Sequence, residues 1–437
     1  MTGGAPTQGR SLFGQPVGLT VLFLTEMWEK FSFYGMRALL VYYMTKQLLI
    51  AQEEASLIYG FYAAFVYFTP IVGGYVSDRW LGRRKSVIIG GSVMALGHFM
   101  MAFEPAFYGA LALIAVGNGL FLPSLPSQIG ALYGPADPRR HRAYNVYYVG
   151  VNLGGLLAPL VCGTLGETLG WHYGFGAAGV GMLAGLVIYV LGRKHLPADP
   201  PRGRLVQSGP MTRAGGQKFL LVLLGVGLCV IVFRGAYEQV GNTVALWSDK
   251  DVNRIAGGFT IPATWFQALN PLLVFVLTPL FLAHWSHQAA KGHEPSPLAK
   301  MSLGAFTVAS AFLLLAVVAT MSGRAPASWI WLAAFFALLT AGELYILPVG
   351  LGLFARLAPG GMVATTIAAW FLAAFAGNLL AGVLGAQWTR MGPTAFFAMM
   401  ASVAGLSGLL LAVMAAFTRQ AEPADDSPVK PAILREG

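Results

Sequence analysis

The chain is a series of long apolar runs separated by short polar stretches. Each run is about 20 residues or longer, enough to cross the hydrocarbon core of a bilayer as a helix. The runs are continuous and do not alternate between apolar and polar positions, which excludes transmembrane strands. The pattern predicts an all-α polytopic membrane protein with twelve transmembrane helices, at 17–45, 55–76, 86–103, 107–133, 141–165, 171–192, 218–247, 259–288, 299–321, 327–356, 361–389 and 393–417.

Composition and charge agree with this pattern. The 437 residues are 56% hydrophobic and 11% charged, too few charges for the surface of a soluble protein of this size. The net charge of +10 comes largely from cations in alternate loops, which indicates positive-inside topology with both termini cytoplasmic and argues against nucleic-acid binding. A multi-pass protein of the plasma membrane, in a bacterium the inner membrane, is expected, in contact with lipid and with no obligate protein partner. The cations lie in loop 2–3 (Arg79, Arg83, Arg84, Lys85), loop 4–5 (Arg139, Arg140, Arg142) and loop 6–7 (Arg193, Lys194, Arg202, Arg204, Arg213, Lys218).

A polar stretch rich in Pro and Gly divides the chain. It predicts a cytoplasmic linker at 193–217 between six-helix bundles at 1–192 and 218–417, followed by a disordered cytoplasmic tail at 418–437. Two six-helix bundles joined in this way are the plan of the major facilitator superfamily. The stretch GGYVSDRWLGRRK (73–85) resembles the loop 2–3 signature of that superfamily. The resemblance implies an inner gate with Asp78, Arg79 and Arg83; the alternative is positive-inside charge alone.

Ionisable residues inside the predicted spans are the strongest functional signal. Each is costly in lipid and must face protein or water. In helix 1 they follow the spacing i, i+3, i+4, i+8 and i+11, which lines one face of a helix. We therefore predict a polar stripe facing a central cavity; the alternative is a set of structural ion pairs joining helix 1 to its neighbours. The residues are Glu26, Glu29, Lys30, Tyr34 and Arg37 in helix 1, with Arg234, Glu238 and Glu343 in later spans.

The same stripe resembles a family signature. The pattern Glu26-x-x-Glu29-Lys30-Phe31-x-x-Tyr34-Gly35 is similar to the helix 1 motif ExxERFxxYG of the proton-dependent oligopeptide transporter (POT) family, with Lys30 in place of Arg. Further stretches resemble the family in the same order along nearly the whole chain. They are AYNVYYVGVNLGGLLAPLVCGTLGETLGWHYGFGAAGVGM (143–182), FRGAYEQ (233–239), WFQALNPLL (265–273), GELYILPVGL (342–351) and WFLAAFAGNLLAG (370–382).

The resemblance implies a proton-coupled symporter that imports di- and tripeptides by alternating access, with the proton as coupling ion and no cofactor. It implies proton coupling through Glu26, Glu29, Lys30, Arg37 and Glu238, with Arg37 paired to Glu238 near the peptide carboxylate. Glu343 would receive the peptide amine. Asn152 and Asn270 would bind the peptide backbone, with Tyr34, Tyr67 and Trp370 as pocket aromatics; Tyr67 and Trp370 could equally be packing residues.

Two positions depart from the family. Leu122, in GNGLFLPSLP (117–126), stands where the family usually has a lysine implicated in proton coupling and carboxylate binding. This leaves open an uncoupled relative, or one for another small zwitterion or peptide-like molecule. Arg234 stands where the family usually has Trp, and at i, i+4 it could pair with Glu238 and so compete with Arg37. We hypothesise that Arg234 and Lys30 together compensate for the lost lysine; the alternative is an Arg234 without a role.

Other classes of protein lack support in the sequence. There is no phosphate-binding GxxxxGK[ST] motif for an ATP-driven pump and no nucleophile–base pair for an enzyme. The mixed charges of the spans disfavour a channel, and the short termini offer no output domain for a sensor. His284, His287 and His293 have no accompanying ligands at metal-binding spacing, so no metal site is expected.

Overall fold

The computed structural model describes residues 11–12, 14–133, 137, 139–199, 213–323, 325–357 and 363–421. About half of the predicted linker (200–212) and most of the predicted tail (422–437) lie outside the described residues. The described part contains twelve long helices: α1 Val17–Tyr42, α2 Gln52–Val76, α3 Arg83–Met100, α4 Phe107–Ser124, α5 Arg139–Ala158, α6 Trp171–Gly192, α7 Arg213–Tyr237, α8 Leu269–Ala290, α9 Pro297–Ser322, α10 Trp329–Leu357, α11 Val363–Gly385 and α12 Trp388–Ala421.

Two of these helices continue through turns of another helical type into a further α-helical segment. α5 continues through a π-helical turn, Pro159–Gly163, into the helical segment Thr164–Thr168. α7 continues through a 3-10 turn, Glu238–Gly241, into the helical segment Thr243–Lys250. Strand pairing is confined, in the described ranges, to three two-residue pairs: Ser11–Leu12 with Gln15–Pro16, Ile255–Ala256 with Phe259–Thr260, and Val252–Asn253 with Ala327–Ser328. The predicted all-α fold is confirmed.

Length and composition support membrane insertion of these helices. Within the described residues, 10 helical stretches are long and apolar enough to cross a bilayer. The exceptions among the long helices are α1 and α3. α1 carries Glu26, Glu29, Lys30 and Arg37, and α3 begins with three consecutive cations, so their charges reduce the apolar signal. Twelve long helices are compatible with the predicted number of spans.

The predicted spans at 259–288 and 107–133 each include a long segment that is not α-helical in the structure. The run predicted at 259–288 begins with a hairpin, because Gly257 and Gly258 have φ of +55° and +84° and form its turn. A 3-10 segment, Ala263–Ala268, then leads into α8. The run predicted at 107–133 leaves α-helical geometry after Ser124 and continues as a 3-10 segment that starts at Pro126, which has no N–H to donate.

The last helix contains a sharp kink. Gly392 has φ of 72° and ψ of 167°, outside the helical region, and Pro393 follows it. A side chain at Gly392 would disfavour this backbone, and proline fixes the φ of the residue that starts the next helical segment. The short turn from Trp388 therefore packs at a different angle from the rest of α12, which matches the predicted start of this span at 393.

Each half of the molecule has its own apolar core. Helices α1–α6 form the N-terminal half around two clusters, centred on side chains such as Phe175 and Phe121. Helices α7–α12 form the C-terminal half around one cluster that includes Phe312 and Phe335. A small additional cluster contains residues of both halves, with Val41 and Tyr42 packed against Ala245. Most apolar burial is therefore within a half.

Polar contacts join the two halves at the end of the molecule where α1 finishes and α2 begins, which we term the closed end. Lys46 Nζ lies 2.6 Å from Asp249 Oδ2, and Glu167 Oε1 accepts from the Thr264 backbone N–H at 2.8 Å. Backbone also meets backbone there. A Cβ added at Gly60 of α2 would lie 2.5 Å from the Gly382 Cα of α11, so glycine permits this close crossing.

Candidate functional site

A cavity of about 200 Å³ lies between the two halves. α1, α2 and α5 contribute from the N-terminal half, and α7, α8 and α10 from the C-terminal half. Most of its wall is polar or aromatic. The lining residues are Tyr34, Arg37, Tyr67, Tyr148, Val151, Asn152, Gly155, Pro159, Arg234, Tyr237, Glu238, Val240, Gly241, Gln267, Asn270, Pro271, Glu343 and Leu347. Seven of the predicted substrate-site or uncertain residues are therefore brought together: Tyr34, Arg37, Tyr67, Asn152, Arg234, Asn270 and Glu343.

The predicted stripe of helix 1 divides into two parts. Tyr34 and Arg37 line the cavity, whereas Glu26, Glu29 and Lys30 lie outside its lining in the N-terminal half, with both carboxylates buried and the Lys30 side chain 11% exposed. We call these three residues the helix 1 cluster. Lys30 Nζ lies 2.7 Å from Glu29 Oε2 and 3.4 Å from Glu26 Oε1.

The helix 1 cluster is held against α5 by close backbone packing. A Cβ at Gly154 would lie 2.2 Å from the Met27 carbonyl oxygen and 2.9 Å from Lys30 Cβ, so only glycine lets α5 approach this closely. Glu26 is 2% exposed and Glu29 0%. Two buried carboxylates thus share one ammonium group, and the cluster has a formal charge of −1 while both are ionised.

A second group of charges connects the two halves. Glu238 Oε2 accepts a hydrogen bond from Arg37 Nη2, and its Oε1 accepts one from Arg234 Nη1 at 2.6 Å. We call Arg37, Arg234 and Glu238 the bridging cluster. The two guanidinium groups bind different oxygens of Glu238. The sequence predicted that Arg234 could compete with Arg37 for Glu238, but in the structure both arginines bind it at once.

Aromatic side chains of α2 support both arginines. Arg37 Nε donates to the Tyr59 hydroxyl at 2.8 Å. The Arg234 guanidinium lies 4.6 Å from the centre of the Tyr67 ring, in cation–π geometry. A Cβ at Gly377 of α11 would come within 2.6 Å of Arg234 Cβ, so the absence of a side chain there makes room for the arginine. Tyr67 thus contacts a cavity cation from the opposite half.

The acid on the C-terminal side of the cavity is Glu343. Asn270 Nδ2 donates to Glu343 Oε2 at 2.5 Å and lies 3.1 Å from Thr340 Oγ1. Tyr237 lies beside the same carboxylate. On the N-terminal side, Asn152 Nδ2 donates to the Tyr148 carbonyl oxygen of its own helix. One of the two amide N–H groups of Asn152 is therefore already used within α5.

Two further residues singled out from the sequence, Trp370 and Leu122, also lie outside the lining of the cavity. Trp370 is 6% exposed and packs edge-on against Phe354, with ring centres 5.2 Å apart. Leu122 is half-buried on α4 and places no cation in the cavity. Lys30, the other half of the proposed compensation for Leu122, is paired within the helix 1 cluster.

The predicted gate residues lie in and after a π-helical turn, Ser77–Leu81. Asp78 and Arg79 are exposed, and Arg83 Nη1 donates to the Ser127 carbonyl oxygen at 3.1 Å. Arg84, which the gate prediction omitted, makes more contacts: its Nε donates to the Pro197 carbonyl oxygen at 3.1 Å and its Nη2 donates to the Leu196 carbonyl oxygen. This loop is therefore tied to the chain that follows α6.

Several further residues were missed by sequence reasoning. Tyr59, Tyr237 and Gln267 contact or border the cavity charges, and Glu167 joins the halves at the closed end. The helix 1 spacing gave no signal for them, since each meets its partner on another helix. Tyr237, one residue before Glu238 in FRGAYEQ, could have been found as a polar aromatic beside two intramembrane charges.

The fold and the site define a class of protein: two six-helix halves enclose one charged cavity at their interface, the arrangement of a major facilitator transporter. The sequence model of the POT family matches residues 84–209 and 211–398. The peptide transporter YePEPT of Yersinia enterocolitica is 31% identical over 469 residues, covering 89% of this chain and 92% of that protein. A di-/tripeptide transporter of Lactococcus lactis subsp. cremoris is 31% identical over 483 residues, covering 93% and 95%.

A solved structure agrees with the sequence matches. A crystal structure of the peptide transporter POT in complex with sulfate has a TM-score of 0.88 and 30% sequence identity, covering 94% of this chain and 97% of that one. The chain belongs to the POT family of multi-span membrane transporters. It is a transporter and not an enzyme.

Proposed function

We propose that this protein is a proton-coupled symporter of di- and tripeptides that works by alternating access. The observation that carries the proposal is the placement of opposite charges in one cavity. Arg37 lies on the N-terminal half and Glu343 on the C-terminal half. A short peptide is a zwitterion, and burying either charged end without a partner is costly. A cation and an acid on different walls supply both partners.

The remaining lining suits a substrate with variable side chains. Asn152, Asn270 and Gln267 offer amide groups for a peptide backbone, while Tyr34 and Leu347 leave part of the wall apolar. The distance between the charged walls limits the substrate, because each extended residue spans roughly 3.5 Å. The two named relatives, a peptide transporter and a di-/tripeptide transporter, support the same substrate class.

Proton coupling is proposed for the helix 1 cluster. Two buried carboxylates with one ammonium group have an excess negative charge that a single proton neutralises. One charge that crosses about 100 mV releases roughly 2.3 kcal/mol, which corresponds to an accumulation of about fifty-fold. For the direction of import, we propose cytoplasmic termini and a bacterial inner membrane, from the cations of loops 2–3, 4–5 and 6–7.

Alternating access requires the closed end to open. The contacts of Lys46 with Asp249 and of Glu167 with Thr264 join the halves there and would be exchanged for water during the cycle. These are exposed or half-buried polar contacts, each of which contributes modestly to stability. The halves, with their separate cores, can then move as units around the cavity.

The test is uptake of a labelled dipeptide into proteoliposomes with an inward proton gradient, with and without a protonophore. Accumulation that the protonophore abolishes supports symport. Equilibration that ignores the protonophore would mean a facilitator without coupling, the alternative motivated by Leu122. Absence of uptake would contradict the peptide substrate and favour another small zwitterion.

Glu343→Gln tests the role of the amine partner. We expect the affinity for a free dipeptide to fall by about ten- to a hundred-fold, because a hydrogen bond to a charged group contributes roughly 1.5–3 kcal/mol. A dipeptide with an acetylated amine should bind the variant and the wild type equally poorly. Glu54→Gln, at an exposed carboxylate of α2 outside the cavity, is the matched control and should leave the affinity unchanged.

A further inference from the structure

The bridging cluster contains one more cation than it needs to hold the halves together. Glu238 has one carboxylate, and each oxygen already accepts from a different arginine. The three residues have a formal charge of +1. A single Arg37–Glu238 pair would be neutral, so Arg234 creates the excess.

The two arginines differ in their access to the cavity. The Arg37 side chain is 18% exposed, whereas Arg234 is 5% exposed and Glu238 2%. Arg37 is also on the opposite half from Glu238, while Arg234 is one turn away on the same helix. Relative movement of the halves therefore changes the Arg37–Glu238 contact but preserves the Arg234–Glu238 contact.

Glu238 is surrounded by other polar groups that bear on its charge. α1, α2, α7 and α10 all contribute titratable or charged side chains to its surroundings. They are Arg37 and Tyr34 from α1, Tyr59 and Tyr67 from α2, Arg234 and Tyr237 from α7, and Glu343 from α10. The nearest like charge is Glu343, and the two arginines are the cations among these groups.

We infer that Arg234 keeps Glu238 ionised when Arg37 turns from Glu238 to the carboxylate of the substrate. This inference rests on the proposed function, since it assumes an anionic group that draws Arg37 away. A buried carboxylate that lost its single cation would be left unpaired and would take up a proton. With Arg234 in place the carboxylate keeps a charged partner, so Arg234 is a positioning residue that removes Glu238 from the proton path.

The charges then balance with a single proton. The helix 1 cluster has a formal charge of −1, the bridging cluster +1 and Glu343 −1, which gives −1 for the empty site. A zwitterionic peptide adds no net charge, and one proton on the helix 1 cluster makes the loaded site neutral. We therefore expect one proton for each peptide, bound at Glu26 or Glu29.

The first experiment needs no substrate and measures protonated carboxyl groups by infrared spectroscopy of the purified protein at neutral pH. Arg37→Met imitates the departure of Arg37. In this variant Glu238 should stay ionised, because Arg234 is still present. Adding Glu238→Gln to Arg37→Met should therefore remove no signal of a protonated carboxyl group. Arg37→Met with Arg234→Met should gain one such group, and the further change Glu238→Gln should remove it.

Two results would overturn the inference. One is a protonated Glu238 signal in Arg37→Met alone, and the other is no gain in the double variant. Because no peptide is present, either result concerns Arg234 and not the substrate class. A gel-filtration profile like that of the wild type establishes that each variant is folded.

The second experiment uses single variants, in case the multiple variants do not fold. Proton uptake on binding of a dipeptide is obtained by titration calorimetry in buffers with different heats of ionisation. Arg234→Met should take up about one proton more than the wild type, and Arg234→Lys should match the wild type. Equal uptake in all three would contradict the inference, whereas no binding by the wild type would contradict the proposed function and leave the infrared result to decide on Arg234.

Discussion

The helix 1 cluster and the bridging cluster are near mirror images in charge. The first has two carboxylates and one cation, and the second has two cations and one carboxylate. The first lies within a single helix of one half, so movement between the halves does not separate its members. The second spans the two halves, so the same movement does. The excess charge of one unit therefore has a different use in each cluster. The excess negative charge of the helix 1 cluster suits the binding of a proton, and the excess positive charge of the bridging cluster, between the two halves, suits the binding of a substrate anion.

Glu238→Gln should have the largest effect on this pair of clusters. It leaves two buried guanidinium groups without a carboxylate at the joint between the halves, a change that costs about 3–5 kcal/mol when a buried ion pair loses one partner. We expect peptide counterflow between equal concentrations to fall more than a hundred-fold. Counterflow in proteoliposomes is the measurement, since it requires movement of the halves but no gradient.

The double variant Arg234→Met with Glu238→Gln is the control for this prediction. It restores the formal charge of the bridging cluster to +1 by leaving Arg37 as the single charge. Counterflow should recover in part. If Glu238→Gln alone kept wild-type counterflow, the bridging cluster would have no part in the movement of the halves.

Glu29→Gln should affect the helix 1 cluster alone and give a smaller, more selective loss. The remaining Glu26–Lys30 pair is neutral and has no need of a proton. Gradient-driven accumulation of a dipeptide should therefore fall by about fifty-fold, to equilibrium, if one proton per peptide supplies the driving force. Counterflow should persist. Accumulation that survives in the variant would show that the proton binds elsewhere.

Tyr59→Phe should have the smallest effect of the three. It removes the hydroxyl that accepts from Arg37 Nε, a hydrogen bond that contributes about 1 kcal/mol, so the half-saturating peptide concentration should rise about five-fold. The number of protons per peptide should not change, because Tyr59 does not contact the helix 1 cluster. A changed proton number would mean that the two clusters are coupled through α2.

The sequence predicted some of this site because part of it is periodic. The spacing of Tyr34 and Arg37, three residues apart, places them on one face of a helix, and Arg234 and Glu238 are one turn apart. The resemblance to the POT family added Asn270 and Glu343. Each of these residues could be predicted either from its spacing along one helix or from a family motif.

The remainder depends on packing between distant segments. Helical spacing could not show that Glu26 and Glu29 turn into the N-terminal half while Arg37 reaches the cavity, because the outcome depends on how closely α5 approaches at Gly154. Helical spacing also could not show that Arg37 and Arg234 bind separate oxygens of the Glu238 carboxylate. The hairpin before α8 was missed because its apolar residues continue the pattern of the following helix.

The crossing of Gly60 and Gly382 has a practical consequence for the study of this protein. Because a single methyl group at Gly60 would meet the backbone of α11 at 2.5 Å, Gly60→Ala inserts a wedge between the halves at the closed end. The substitution lies in neither charge cluster and changes no titratable group. The variant should therefore favour a conformation in which the closed end is open. Conformation-selective antibody fragments could then bind that conformation for structure determination.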